Sequence, residues 1–294
     1  MNAGDRVLNR YEIVKKLGYG AFSNVYQATI LGNKLNELKH NLELEESAES
    51  NKTEDSVEPE KLREVVIKIV SKSERRDILN SACEEINIHK NLNSNRIIKF
   101  YEHFEDNNNI YMIIELYDDS LKNRAKNGFL CLKDTVSIIL QVTEGLLYLK
   151  ENLIIHRDIK IENLLIDANK QIKICDFGLA EKLENKNELV YYICGTPNYI
   201  SPEMLDCEGY SFEIDIWALG IVFYKLLTGK IPFKSLTKAE LYKKIREKEP
   251  LYPNFIDLNI KHILEGMLNK NRDLRFSHEN VYDLLKTIDL DNNC

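Results

Sequence analysis

The spacing of apolar residues changes along this chain, and the change limits the folds open to it. Up to about residue 115 stretches of alternating apolar positions predominate, with one helically spaced run at 75–92, whereas after Leu121 helical intervals predominate. Alternation buries one face of a strand, and a spacing of about 3.6 buries one stripe of a helix. A sheet-rich first third followed by a helix-rich remainder predicts an α+β chain of two lobes with a cleft between them. With 294 residues, 44% of them apolar, the chain has enough material for a sizeable core.

Strand patterns cover 11–17, 25–28, 64–70, 97–104 and 110–115, with Asp106-Asn107-Asn108-Asn109 as the turn between the last two. Helical spacing covers 75–92, through Ile78, Leu79, Ala82 and Ile86, and 132–149. It returns over 214–227, 236–247, 258–269 and 278–285. Short strands are predicted at 164–166 and 172–174. Between about 31 and 63 the pattern lapses, and from Glu43 to Glu60 the chain is strongly acidic, with Lys52 its only cation. This reads as an inserted, mostly disordered loop, with a short helix predicted over 35–44.

The net charge of −7 leaves no overall basic field for nucleic acid. Six scattered cysteines show no Cys-x-x-Cys spacing, so neither a zinc site nor a disulfide framework is indicated. No stretch reads as a signal core or a membrane span. A soluble intracellular protein, cytoplasmic or nuclear, is expected.

Two blocks carry chemistry. His156-Arg157-Asp158-Ile159-Lys160-Ile161-Glu162-Asn163 is followed by Asp176-Phe177-Gly178. Asp158 can orient and deprotonate a hydroxyl, Lys160 can steady a transferring phosphate, and Asn163 and Asp176 can ligate magnesium. This equipment suits transfer of the γ-phosphoryl group of ATP. Upstream, Gly18-Tyr19-Gly20-Ala21-Phe22-Ser23 forms a turn whose glycines let backbone N–H groups approach phosphates, with Ser23 in place of a third glycine. Lys68 sits in the apolar run Val65-Val66-Ile67-Lys68, where a charge is costly unless paired. Glu85, on the next helix, is the expected partner.

With these motifs in place the sequence resembles the eukaryotic protein kinases, from Tyr11 to about Leu285. The resemblance implies a bilobal α+β kinase fold: a small antiparallel-sheet N-lobe with one main helix, and a larger helical C-lobe. It implies a kinase domain over 11–285, with an N-lobe to about 115, the acidic insert at about 31–63, a C-lobe from about 118 and a short tail at 286–294. It implies ATP and magnesium as cofactors and proteins bearing serine or threonine as substrates. It implies no membrane or nucleic-acid partner and leaves the oligomeric state open. Leu17, Gly18, Gly20, Ser23, Val25, Val66, Lys68, Glu115 and Tyr117 would bind nucleotide. Asp158, Lys160, Lys68 and Glu85 would form the catalytic set, and Asn163 and Asp176 would hold the metal. Ile114 would be the gatekeeper. Glu203 would pair with Arg275, and Asp215 would anchor the catalytic loop.

Within that class the sequence is most similar to the polo-like family, cell-cycle kinases, through Glu85-Ile86-Asn87-Ile88-His89, Cys194-Gly195-Thr196-Pro197-Asn198-Tyr199-Ile200 and Tyr210-Ser211-Phe212-Glu213-Ile214-Asp215-Ile216-Trp217. Little sequence follows the last helical stretch, so no polo boxes are expected. The alternatives are a pseudokinase scaffold and an active kinase of the aurora-like or calcium/calmodulin-related type.

Three departures bear on function. Val66 stands where kinases usually carry alanine. Glu162 stands where polo-like kinases tend to have a small residue, and predicts a preference for basic substrates. The segment 176–195 contains no serine or threonine. Arg157, which would normally receive an activating phosphate, then needs another anion, for which Glu184 and Glu188 are the candidates and phosphotyrosine at Tyr192, where the activating phosphothreonine usually sits, is the alternative.

Overall fold

The computed structural model describes residues 1–19, 23–32, 34–35, 37–38 and 63–288. Gly20, nearly all of the acidic insert, most of the helix predicted over 35–44 and most of the tail lie outside them. The chain divides into two compact units, one formed by 1–92 and 98–116 and the other by 93–97 and 117–294.

The first unit is built on an antiparallel sheet. Its strands are β1 (Arg6–Val7), β2 (Tyr11–Tyr19), β3 (Ser23–Ile30), β4 (Glu64–Ser71), β5 (Phe100–Glu105) and β6 (Asn109–Glu115), in the order β1-β2-β3-β4-β6-β5. Alternation sends Val65, Ile67 and Ile69 of β4 to one face, where they join Tyr26, Ala28, Tyr111 and Ile113. The opposite face carries Val70, Ile110 and Met112 against Ile78, Ala82 and Ile86 of helix α1 (Arg76–His89). The β5–β6 turn closes as read from sequence, with Asp106 Oδ1 accepting from the backbone of Asn108 and Asn109 at 2.7 and 2.8 Å.

Two strands differ from the sequence pattern. β2 and β3 run further into the glycine-rich turn than expected, with a register shift between Lys16 and Gly18. β5 begins at Phe100 and not at 97, because Ile97 is bridged to Ile174 in the second unit.

The second unit is mainly helical. After β7 (Asp119–Ser120) come α2 (Leu121–Arg124) and α3 (Leu132–Glu151), then the strands β8 (Ile154–Ile155), β9 (Leu164–Ile166), β10 (Ile172–Ile174) and β11 (Glu181–Lys182). The remaining helices are α4 (Pro202–Asp206), α5 (Glu213–Thr228), α6 (Lys238–Glu247), α7 (Leu258–Met267) and α8 (His278–Lys286). α5 is apolar on nearly every side and buried accordingly. α3 packs against α5 and α8. Two small antiparallel ladders position the chemistry-bearing loops. β10-β9-β7 flanks the Asn163 and Asp176 segments, and β11–β8 pairs Glu181 with Ile155.

Candidate active site

The first unit assembles the predicted ion pair. Lys68 points to the same face of β4 as Val66 and Val70, since they differ by two positions, and lies opposite Val25 and Met112 on the neighbouring strands. Glu85 lies on the stripe of α1 that also buries Ile78, Ala82, Ile86 and His89. Helix and strand therefore present the two charges to the same layer. Lys68 Nζ donates to both Glu85 oxygens, at 2.6 and 2.8 Å. Two contacts on a largely buried carboxylate offset the desolvation of both groups.

The expected nucleotide-binding residues of this unit follow the same strands. Leu17 is half exposed near the end of β2 and Ser23 is buried at the start of β3. Val25 lies across from Gly18 on one side and Lys68 on the other. Val66 is buried opposite Gln27 and Ile114. Gly20 is outside the described residues. Glu115 ends β6, its carboxylate accepting from the Lys99 backbone at 3.0 Å. Tyr117 belongs to the second unit, where its hydroxyl donates to the Gln171 carbonyl at 3.3 Å.

In the second unit Asp158, Lys160 and Asn163 come together with Thr196. Lys160 Nζ donates to Asp158 Oδ2 at 2.5 Å and to Thr196 Oγ1 at 3.0 Å. Thr196 donates in turn to Asp158 Oδ1 at 2.7 Å. Asn163 Nδ2 reaches the Asp158 carbonyl at 2.9 Å and its Oδ2 at 3.1 Å. Asp158 thus accepts at both oxygens and is fixed in orientation.

The loop that carries it is held from below. Asp215 accepts the backbone N–H of His156 at 2.8 Å and of Arg157 at 2.9 Å. Burial pushes the Asp215 carboxyl up, and these donors oppose that shift. The Asp158 N–H donates to His156 Nδ1 at 3.3 Å, which makes Nε2 the protonated nitrogen; it donates to the Cys175 carbonyl at 3.1 Å. The Phe177 ring packs edge-on against His156, 5.2 Å between centroids. Gly195 has φ +95°, and a Cβ there would come within 2.7 Å of the Arg157 carbonyl. Only glycine lets the two segments approach this closely.

Asp176 follows β10 with φ +66° and is exposed. The Cys175 N–H donates to the Asn163 carbonyl at 3.0 Å and ties the two candidate ligand segments together. Asn163 uses Nδ2 for its contacts with Asp158, so Oδ1 is its cation-ligating end. One amide oxygen and one exposed carboxylate fit magnesium, which keeps water and phosphate oxygens in the rest of its shell. Among the described residues no cluster of three or more His, Cys, Asp or Glu forms a metal cage.

The partner of Arg157 differs from the sequence expectation. Neither Glu184 nor Glu188 reaches it; Glu188 instead accepts from the Glu184 backbone at 2.5 Å. Arg157 Nη2 lies 2.9 Å from Glu181 Oε2. The cause is register: β11 sets Glu181 opposite Ile155, two residues before Arg157. The Tyr192 ring covers the guanidinium, 4.7 Å from its carbon, and the Tyr192 hydroxyl donates to Glu181. Burial and that hydrogen bond raise the Tyr192 phenol above its ordinary value.

One other expected pair forms, and one residue singled out from the sequence has a partner within the chain. Arg275 grips Glu203 through two contacts, at 2.5 and 2.8 Å. Glu162 is engaged by Lys122 at 3.4 Å, a partner the sequence pattern did not suggest.

Residues 50–284 match the model of the protein kinase domain. Similar curated proteins include the serine/threonine-protein kinase polo of Drosophila melanogaster, 39% identical over 71% of this chain and 37% of that protein. Serine/threonine-protein kinase PLK4 of Nematostella vectensis is 35% identical over 75% of this chain and 23% of its own length. The probable serine/threonine-protein kinase CCRP1 of Zea mays is 32% identical over 93% of this chain and 40% of its own length. The chain thus spans well under half the length of these relatives. The antiparallel sheet with one main helix, the helical second unit and the matched family model agree: this chain belongs to the protein kinase domain family, with polo-like kinases among its relatives.

Proposed function

We propose that this chain is a serine/threonine protein kinase that uses ATP and magnesium, with a catalytic domain over 11–285. The observation that carries the reading is the fixed carboxylate of Asp158, held by Lys160, Thr196 and Asn163 at 2.5, 2.7 and 3.1 Å. A carboxylate with both oxygens oriented suits a group that must align a hydroxyl and accept its proton.

Each residue has a distinct task under this reading. Asp158 would orient the substrate hydroxyl and take its proton as the new O–P bond forms. Lys160, already against Asp158, would steady the negative charge of the phosphoryl oxygens in transit. Lys68, oriented by Glu85, would hold the α- and β-phosphates. Leu17, Val25 and Val66 would offer apolar surface to the base, Gly18, Gly20 and Ser23 would cover the phosphates, and the backbone from Glu115 to Tyr117 would hydrogen-bond adenine. Asn163 Oδ1 and the Asp176 carboxylate would hold magnesium, which when bound neutralises phosphate charge. Lys160 two residues after Asp158 supports serine and threonine as acceptors.

An intracellular site, cytoplasmic or nuclear, follows from dependence on ATP. The unbridged state of Cys83, Cys131, Cys175, Cys194 and Cys207 supports a reducing compartment. Among the described residues no helix is long and apolar enough to cross a membrane.

The test is transfer of labelled γ-phosphate to a generic serine peptide with and without magnesium, with Asp158→Asn as the control. Magnesium-dependent labelling lost in the variant supports the assignment. Nucleotide binding with no turnover would instead support a scaffold.

A further inference from the structure

Arg157 is a buried cation one residue from Asp158. Its side chain is 6% exposed, so its charge must be balanced within the protein. It also bridges two parts of the second unit. Its backbone N–H is fixed by Asp215, and its side chain donates to the carbonyls of Leu179, at 2.5 Å, and Ala180, at 3.4 Å. Those carbonyls begin the segment that leads from Asp176 to Thr196. The placement of this guanidinium therefore couples the Asp158 loop to that segment.

The balancing charge comes from Glu181, at 2.9 Å. The carboxylate is fixed on three counts. Its backbone is in the β8–β11 ladder, opposite Ile155. It accepts the Tyr192 hydroxyl. The Tyr192 ring lies over the guanidinium, 4.7 Å from its carbon, and adds a cation–π contact. Tyr192 is itself held by Tyr210, whose hydroxyl donates to the Tyr192 carbonyl at 2.8 Å. No serine or threonine lies between Asp176 and Gly195. The place where a phosphorylated side chain could meet Arg157 is thus filled by a permanent carboxylate under an aromatic cover.

We propose that Glu181 is a positioning residue for phosphoryl transfer: with Tyr192 it anchors Arg157 without any phosphate, so that Asp158 and the 176–196 segment are ordered in the unmodified chain. The inference rests on the kinase reading above. A carboxylate supplies one negative charge where a phosphate supplies nearly two. The lower charge is compensated here by a fixed backbone, the tyrosine hydroxyl and the ring.

The experiment uses the full chain treated with phosphatase and verified as unmodified by intact mass. Wild type, Glu181→Gln, Glu181→Ala, Tyr192→Phe and the controls Glu184→Ala and Glu188→Ala are assayed on one serine peptide. Amide hydrogen exchange is followed over 176–196. Unmodified wild type should turn over. The two Glu181 variants should lose kcat by about a hundredfold, the size of effect expected when a reacting group is displaced by about 1 Å. KM for ATP should stay within about threefold, because the Lys68–Glu85 pair is untouched. Exchange over 176–196 should accelerate in both. Inorganic phosphate should restore part of the kcat of Glu181→Ala and leave wild type unchanged. Tyr192→Phe should fall between, and the two controls should match wild type.

An active wild type with indifferent Glu181 variants and unchanged exchange would overturn the anchor while leaving the kinase reading intact. So would loss of most wild-type activity on phosphatase treatment. A wild type inactive before and after treatment would overturn the kinase reading, and the positioning role with it.

Discussion

Thr196 Oγ1 donates its hydrogen bond to Asp158 Oδ1 at 2.7 Å while accepting one from Lys160 Nζ at 3.0 Å. Lys160 also reaches Asp158 Oδ2 at 2.5 Å, so the three side chains close a ring in which each donor faces an acceptor. A hydroxyl is the one small group that can accept from the ammonium and donate to the carboxylate. Thr196→Ala should therefore loosen both partners and lower kcat by roughly tenfold to a hundredfold. Thr196→Ser, which keeps the hydroxyl, should retain most of the activity. Steady-state kinetics on one peptide separates the two, and equal losses in both would show that the methyl group and not the hydroxyl matters.

Asp158→Asn is the sharper test of chemistry. Donors meet both Asp158 oxygens, from Lys160 and Asn163 on one and Thr196 on the other. An amide would turn its own N–H toward one set and would carry no charge to accept a proton. Turnover should fall by about a hundredfold to ten-thousandfold, while ATP binding persists. Asp176→Asn should instead weaken magnesium-dependent nucleotide binding. Calorimetric titration with ATP, with and without magnesium, distinguishes the two variants. Near wild-type turnover in Asp158→Asn would remove Asp158 from its assigned role.

Much of this arrangement was legible in the sequence for identifiable physical reasons. A lysine inside an apolar strand demands a counter-charge, and Glu85 was the acid on the buried stripe of the next helix. Leu164–Ile166 and Ile172–Ile174 were readable because an apolar triplet and an apolar–polar–apolar alternation bracket the turn that joins them. Glu181 was not readable. Its two-residue strand has no periodicity to count, and its reach to Arg157 depends on a ladder register that only the folded chain defines. Lys122 was missed similarly, since it meets Glu162 from a one-turn helix whose placement has no local signal. The limits of β2 and β3 were blurred by the glycines, which break alternation without ending the strands.

The Glu203–Arg275 pair should dominate the stability of the second unit among its ion pairs. The two side chains are 2% and 0% exposed, and the guanidinium lies 5.1 Å from the Trp217 ring. Arg275→Met would strip the buried carboxylate of its counter-charge, and should cost about 3–5 kcal/mol. The double change Glu203→Gln with Arg275→Met should recover part of that loss, because no charge then remains buried. Urea unfolding of the four species as a double-mutant cycle gives the coupling. A single variant as stable as wild type would contradict the burial argument.

Substrate choice should show the competition between Lys122 and incoming basic residues for Glu162. The salt bridge at 3.4 Å is exposed and therefore weak. A substrate arginine two or three positions before the acceptor should displace Lys122 and be favoured over aspartate or glutamate. Lys122→Ala should strengthen the basic preference, and Glu162→Ala should erase it. A positional-scanning peptide library reads both effects. Selection of acidic residues by wild type would reverse the expectation and assign the groove a polo-like preference.

His278 gives the fold a defined acid sensitivity. It is buried at the start of α8, and burial, reinforced by the nearby Lys150 ammonium, lowers its pKa from 6.5 to about 3. Glu279 opposes that shift but is itself engaged by Lys150 at 2.7 Å. The folded chain therefore keeps this imidazole uncharged at pH values where the unfolded chain protonates it. Unfolded protein binds the extra proton below pH 6.5, so stability is full above that value and declines as pH falls toward 3. Glu279 is lowered from 4.5 to about 2, because its burial is outweighed by hydrogen bonds from Lys150, its own backbone and Ser277 together with the Lys150 charge, and it adds a separate loss only below about pH 4.5. Glu279 is ionised in both states over most of the interval between pH 5 and 6.5, and the His278 contribution to the loss across it should be about 2 kcal/mol. Urea unfolding midpoints at pH 7.5, 6.5, 5.75 and 5 measure it. In His278→Gln and His278→Leu the slope across this interval should flatten, whatever the absolute stability of each variant. An unchanged slope in both would mean that another group carries the proton linkage.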